Sequence, residues 1–505
     1  MNYNEFLKMI PEAFLVLTLI VVFFGDFCLY KSEKKNSVLS KLTGVLLLAQ
    51  IFVCLFAEPQ YAFGGLYIVS SAVNVMKTIL TFGTLVVVVM AQSWLETEKM
   101  QRLQGEFYLL VLSTLLGMFV MMSSGSFLLF FLGLEMASVP MACLVAFDKW
   151  KQNSAEGAAK YILTATFSSG VMLYGISFIY AATGTLYFDG VADSLSHGDW
   201  LPVAIGPGTC PYGHGIVASA DGALQSPALA IMGLVFFFSG LGFKISLVPF
   251  HFWTADTYQG APTPVTGYLS VISKGAAALT LAIILMKVFQ PMVYYWSYLL
   301  DIVIVLSITV ANLYAIRQSE LKRFMAFSSI SQAGYIMLAV LCNGETGVAA
   351  LTYYVLVYIV ANMAVFTVIN IVEQKSGGRT DMAAYNGFYQ TNPRLSFLMT
   401  LALFSLAGIP PFAGMFSKFF VFMAAAKQGS FAAYFVVFIA LINTVVSLYY
   451  YLLIVKAMYI TKTDSPLPTF QSDASTKAAL AVCTAGVALF GVVSCIYEWI
   501  AAAGL

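Results

Sequence analysis

The sequence predicts an all-α polytopic membrane protein of about fourteen transmembrane helices, built as two inverted five-helix repeats in which helices 7 and 12 are broken. Three observations lead there. Of 505 residues, 60% are hydrophobic and only 10% charged, with a mean hydropathy of +0.86, which leaves too few charges to coat a water-soluble fold. The apolar residues fall in runs of roughly 20 or more, long enough to cross a hydrocarbon core. Two of these runs are broken by proline beside a lysine at membrane depth, at Pro249 and at Pro410-Pro411.

Taken in order, the spans read as 11–30, 38–57, 72–94, 106–123, 126–147, 157–183, 227–255, 261–289, 292–315, 320–342, 347–373, 395–426, 431–460 and 478–503. The first has no small-residue cleavage site, so it reads as a span and not as a targeting segment. Lysine and arginine set the orientation. Seventeen of the 25 fall in loops after odd-numbered spans and four on the other side, with Lys77 taken there as snorkelling at a helix start. That places both termini on the outer face. The 184–226 segment, glycine-rich with four aspartates and no lysine or arginine, reads as an outer insertion.

The remaining four basic residues, Lys160, Lys244, Lys274 and Lys418, lie within spans. Ionisable groups at that depth are expensive and usually carry ions, pair with acids or line water. Glu135, about ten residues or ~15 Å into span five, is the matching acid. His251 follows the first proline break and suits proton handling, with a satisfied interior histidine as the plainer reading. For Glu135, Lys244 and Lys274 the plainer reading is a structural ion pair, and Lys160 is shallow enough to snorkel. Ser328, Ser329, Ser331, Gln332, Tyr335 and Asn362 add polar groups without charge. The many Phe and Tyr residues read as lipid-facing or packing groups.

Composition also excludes. A net charge of +1 argues against a nucleic-acid partner, and seven scattered cysteines without a C-x-x-C pair leave no framework for iron–sulfur or structural zinc. Three histidines are too few at membrane depth for bis-histidine haem. Cys210 and His214 are a lone pair in a glycine-rich loop, which rarely means metal. An internal echo supports the repeat: Phe238-Ser-Gly-Leu-Gly242 precedes the first break and Phe404-Ser-Leu-Ala-Gly408 the second. The broken spans are five crossings apart, an odd number, so the copies are inverted in the membrane.

These residues carry a resemblance. Lys244-Ile-Ser-Leu-Val-Pro-Phe-His-Phe-Trp253, Tyr258-Gln-Gly-Ala-Pro-Thr-Pro264, Ser273-Lys274, Leu321-Lys-Arg-Phe-Met-Ala-Phe-Ser-Ser-Ile-Ser331 and Leu406-Ala-Gly-Ile-Pro-Pro411 with Lys418 resemble the subunit N family of proton-translocating NADH:quinone oxidoreductase (respiratory complex I). The likeness spans nearly the whole chain. Tyr-Gln-Gly-Ala-Pro, the absence of a long lateral helix after span fourteen, and a lysine at 418 where M-type chains tend to carry glutamate favour N over its relatives M and L. The departures are Pro411 and the larger 184–226 loop.

The resemblance implies an N-terminal three-helix segment (1–105), a first antiporter-like repeat (106–290), a second, inverted repeat (291–460) and a C-terminal helix (461–505). It implies an enzyme subunit that moves H+ through a buried relay, coupled to quinone reduction elsewhere. Lys244 would be the proton acceptor of the inner half-channel and Glu135 its ion-pair partner. Lys160 would be a modulator, Lys274 with His251 the connection, and Lys418 the exit-side lysine. A carboxylate near a buried amine favours its charged form and burial opposes it, so moving the acid moves the proton. No redox cofactor is expected on this chain; NADH, FMN, iron–sulfur clusters and quinone are expected in partner subunits. The implied partners are the antiporter-like subunits M and L, the small subunits K and J, and membrane lipid, in a bacterial inner membrane with both termini periplasmic. The competing functions are a subunit of a cation/proton (Na+/H+) antiporter and a membrane subunit of a hydrogenase or plastoquinone-linked complex.

Overall fold

A computed structural model describes residues 3–29, 35–196, 217–218, 224–225, 227–463, 466–493 and 495–504. Cys210 and His214 lie outside the described residues. The chain forms α1 (Ile10–Cys28), α2 (Lys35–Leu55), α3 (Ser71–Leu95), α4 (Gln104–Met122), α5 (Phe127–Val145) and α6 (Gln152–Thr183). It continues through α7a (Pro227–Ile245) and α7b (Trp253–Gly260), α8 (Thr263–Ile283), α9 (Val293–Ile316), α10 (Leu321–Leu338) and α11 (Glu345–Lys375). Last come α12a (Pro393–Ala407) and α12b (Ala413–Ala426), α13 (Phe431–Tyr459) and α14 (Ala474–Val492). Thirteen helices among the described residues are each long and apolar enough to cross a membrane, and the divided α12 makes the fourteenth crossing. The last crossing starts at Ala474, four residues before the predicted 478, and ends at Val492, with a short separate helix over Cys495–Ala502.

Three helices form the centre. Residues of α10 and α11 are buried almost throughout, polar ones such as Ser329, Gln332 and Asn362 included, and those of α8 nearly so, whereas α1 and α13 show most of their surface outward. A helix buried on every side belongs to the core, and the polar groups it carries must find partners inside the protein. Around the centre the packing order repeats. α4 lies on α5 as α9 lies on α10, α6 carries α7a as α11 carries α12a and α12b, and each broken helix then touches the next, α8 or α13.

Both breaks fall where proline was read, and each carries a cis X–Pro bond, at Val248–Pro249 and Pro410–Pro411. Backbone groups freed inside a membrane must find partners within the protein. At the first break the Leu247 N–H bonds to Gly242 O at 2.8 Å and the Val248 N–H to Ser307 Oγ on α9 at 2.9 Å. At the second, Gly408 closes α12a in the left-handed region (φ 89°), and the Gly414 N–H reaches Ser405 Oγ at 3.1 Å. A Cβ on Gly414 would stand 1.7 Å from Ser405 O, so only glycine lets α12b return this close to α12a.

Lys77 does not snorkel. It is fully buried on α3, and its Nζ meets Glu12 Oε1 of α1 at 2.6 Å. Tyr67 and Ser123 also donate to that carboxylate, at 2.8 and 3.1 Å. The sequence reading missed this because Glu12 sits in the first turn of its helix, where an acid ordinarily faces the interface.

Candidate functional site

Three lysines sit in the core with no carboxylate within salt-bridge distance among the described residues. Lys244 ends α7a, where its ammonium donates to Ser138 Oγ of α5 at 2.9 Å and to Tyr161 Oη of α6 at 3.2 Å. Lys274, mid-way along α8, donates to Ser329 Oγ of α10 at 2.8 Å and lies 5.5 Å from the Tyr258 ring centroid. Lys418 on α12b donates to Ala407 O at 3.0 Å, which is the carbonyl end of α12a, and lies 4.8 Å from the Tyr335 ring centroid. A cation at a helix C-terminus meets the negative end of its dipole, so the second break builds the seat for this amine.

Hydroxyls and amides fill the spaces between these amines. Tyr161 packs edge-on against Trp253, and Ser329 donates on to Tyr258 Oη at 3.3 Å, which carries polarity from the Lys244 side towards Lys274. Beyond Ser329, Ser328 shares a 2.5 Å bond with Tyr451, and Gln332 bonds to Tyr451 at 3.2 Å and to Tyr354. Gln332, Tyr354, Tyr358, Ser405, Ser417 and Lys418 line a small cavity of about 10 Å³. His251 Nδ1, Ser331 Oγ and Tyr358 Oη are buried without a hydrogen-bond partner among the described residues. Groups of this kind hold water when space allows, and a chain of hydroxyls, amides and water passes protons.

Two of the expected site residues stand apart from this axis. Glu135 is half-buried on α5 and takes a short hydrogen bond from Ser169 of α6, with no contact to Lys244. It is Ser138, one turn further along α5, that reaches the lysine. Lys160 is exposed and pairs with Glu156 at 2.6 Å and Asp256 at 2.7 Å, and Asp256 in turn meets Arg323 at 2.5 Å. It belongs to a charge cluster at the end of the bundle, and its neighbour Tyr161 makes the contact with Lys244. His251 lies inside the first break, stacked on Phe252 with ring centroids 4.7 Å apart.

Tyr335 was singled out from sequence as a polar group, and it is buried beside Lys418. Tyr161, Tyr354, Tyr358 and Tyr451, read only as lipid-facing or packing groups, and Tyr258, read only as part of a motif, are buried as well, with hydroxyls in this polar region. Among 28 tyrosines nothing in local spacing marks Tyr161, Tyr354, Tyr358 and Tyr451 out. Among the described residues no group of three or more His, Cys, Asp or Glu comes together as a metal site.

Residues 124–447 match the family described as NADH:quinone oxidoreductase/Mrp antiporter, TM. The chain is 53% identical to the NADH-quinone oxidoreductase subunit N of Phocaeicola vulgatus over 498 residues, 99% of this chain and 98% of that protein. Among solved structures it is similar to a chain of respiratory complex I from Thermus thermophilus, with a TM-score of 0.76 and 29% identity over 98% of this chain and all of that one. A chain of the Mrp complex from Dietzia sp. shares the fold at a TM-score of 0.79, with 18% identity over 100% of this chain and 97% of that one.

Proposed function

The chain belongs to the NADH-quinone oxidoreductase subunit N family, and from that membership and its line of buried lysines we propose that it moves protons across the membrane within an NADH:quinone oxidoreductase. The observation that carries this reading is the axis itself: three amines in the core with no counter-charge in contact, joined by hydroxyls, amides and a polar cavity. A structural lysine would be paired. An unpaired one held by hydroxyls can take up a proton and give it on.

In this reading Lys244 receives the proton from the inner side and Lys274 relays it, with His251 and the Tyr258–Ser329 pair between them. Lys418 passes it to the outer side. Glu135 acts on Lys244 through space, from one turn away on α5 from the Ser138 that holds the amine, without a contact pair to break. Lys160 acts further out, in the cluster that also holds Asp256 and Arg323. Quinone reduction in partner subunits supplies the energy, since one proton moved against 100 mV costs about 2.3 kcal/mol. NADH, FMN and iron–sulfur clusters then belong to those partners, and subunits M, L, K and J are the membrane neighbours. Residues 106–290 and 291–460 form the two repeats, flanked by 1–105 and 461–505. The lysine and arginine bias puts both termini on the periplasmic side of a bacterial inner membrane.

The test is proton uptake by the assembled complex in vesicles, scored against the amount of complex. Lys244→Met removes the acceptor and lowers uptake by about tenfold, which is ~1.4 kcal/mol of barrier, with assembly intact. Lys244→Arg lowers it too, because arginine keeps its proton in proteins. Near-normal uptake in Lys244→Arg with failed assembly in Lys244→Met marks the lysine as scaffold and rejects the reading. Uptake that requires Na+ would favour antiport instead.

A further inference from the structure

A second polar route reaches Lys274 without passing Lys244. At the lysine-rich end of the bundle a cleft of about 610 Å³ is lined by Asp148, Lys151, Thr263, Asn370, Glu373 and Gln374, and also by Glu98 and Lys99. Glu373, near the end of α11, closes its floor with only 13% of its side chain exposed. One carboxylate oxygen meets Lys151 at 3.3 Å, and the other meets the buried Lys322 at 3.5 Å and accepts a short hydrogen bond from Thr263. Asp148 also reaches Lys151, at 3.4 Å.

From Thr263 a polar stripe runs inward along one face of α8. Thr263, Thr266, Ser270 and Lys274 are spaced three, four and four apart, the repeat of a single helix face, and all are buried. Eleven residues separate Thr263 from Lys274, about 16 Å of rise. The neighbouring helices match it. On α11, Gln374 donates to Asn370 at 3.0 Å, and Asn362 donates to Ser270 at 2.5 Å. On α10, Lys322 is two turns from Ser329, the residue Lys274 donates to. Asn362 Oδ1 and Ser273 Oγ are buried along this stripe without partners among the described residues. A salt bridge that only fastened α11 to α10 would need Glu373 and Lys322 and none of the rest.

Resting on the proton-transfer reading above, we propose that Glu373 is a proton inlet that loads Lys274 directly along the α8 stripe, giving the connecting lysine a supply independent of Lys244. The carboxylate takes a proton from the cleft. That proton passes along the Thr263, Thr266 and Ser270 hydroxyls to the free amine of Lys274, which becomes the ammonium. The Thr266 and Ser270 O–H groups turn away from the Tyr258 and Gly267 carbonyls to do so, and water bridges the roughly 5–6 Å between successive turns. Glu373 is left again as a carboxylate between Lys151 and Lys322.

The test uses the assembled complex in vesicles and reads proton uptake against the pH on the cleft side, per assembled complex. Glu373→Gln should lower uptake and make it fall at lower cleft-side pH than in the wild type, because the proton-collecting group is gone. Glu373→Asp should keep the wild-type profile. Thr263→Val leaves every charge pair in place and should reproduce the Glu373→Gln profile, so it decides the matter if Glu373→Gln fails to assemble. Wild-type uptake and profile in Glu373→Gln, or in Thr263→Val where Glu373→Gln does not assemble, overturns the inlet. Lys274 lies on both routes, so Lys274→Met in the same preparation separates the two ideas: if it is impaired while those variants are normal, only the inlet fails. If Lys274→Met itself pumps normally, the underlying reading fails.

Discussion

At the scale of single residues, the chain uses buried charge in two opposite ways. Glu12 and Lys77 are in contact and supported by two further hydroxyl donors, so both charges are answered. Lys244, Lys274 and Lys418 meet only hydroxyls, rings and a carbonyl. The first arrangement fastens helices, and in the proposed relay the second leaves a proton free to move. Breaking a buried pair strands its partner and costs about 3–5 kcal/mol, whereas removing both members together is often nearly neutral. Lys77→Met should therefore lower the thermal midpoint of the purified complex, and Glu12→Gln with Lys77→Met should recover most of the loss. Proton uptake per assembled complex should stay at the wild-type level in the double variant. A double variant no better than Lys77→Met alone would assign the pair a role beyond fastening.

At the scale of elements, the two broken helices set the site. Each break ends a half-helix beside a lysine; the first hands the Val248 N–H to Ser307 of α9, and the second is closed by Ser405 and Lys418 of its own two halves. This was legible in the sequence because proline and a deep lysine are strong local signals at Pro249 and Pro411. The details that depend on partners were not. Glu135 and Lys244 are both deep and of opposite sign, yet their helices face so that Ser138 and Tyr161 reach the amine instead. The position of Lys160 was read correctly as shallow, and its i,i+4 pair with Glu156 lies within α6 itself, but its bond to Asp256 comes from the approach of α7b to α6, which no single span encodes. The return of α12b over α12a rests on Gly414. Gly414→Val puts side-chain atoms into Ser405, and overpacking of this kind costs about 1–3 kcal/mol. It should also displace Lys418 from the α12a carbonyl end, so uptake per assembled complex falls with stability. Ser405→Ala adds no bulk and removes only the hydroxyl that accepts the Gly414 N–H, so it should cost stability by the ~1–3 kcal/mol of an unpaired buried donor while leaving Lys418 at the α12a carbonyl end.

At the scale of the whole molecule, span count, composition and the inverted order of elements follow from hydropathy and from proline spacing. The polar axis does not, because it is assembled from seven elements, α5, α6, α7, α8, α10, α11 and α12, with α13 adding Tyr451. A tyrosine on that axis and one facing lipid look alike along the chain. Only the helix-to-helix contacts around the buried centre separate them. The central claim is that Lys244, Lys274 and Lys418 lie on one conduit with Lys274 as its junction. The most direct test is proton uptake per quinone reduced in vesicles holding Lys244→Met, Lys274→Met and the double variant. Groups that act in series lose function non-additively. The account predicts that Lys274→Met has the larger loss and that the double variant is no worse than Lys274→Met alone. Wild-type uptake in Lys274→Met, or losses that multiply in the double variant, would contradict it.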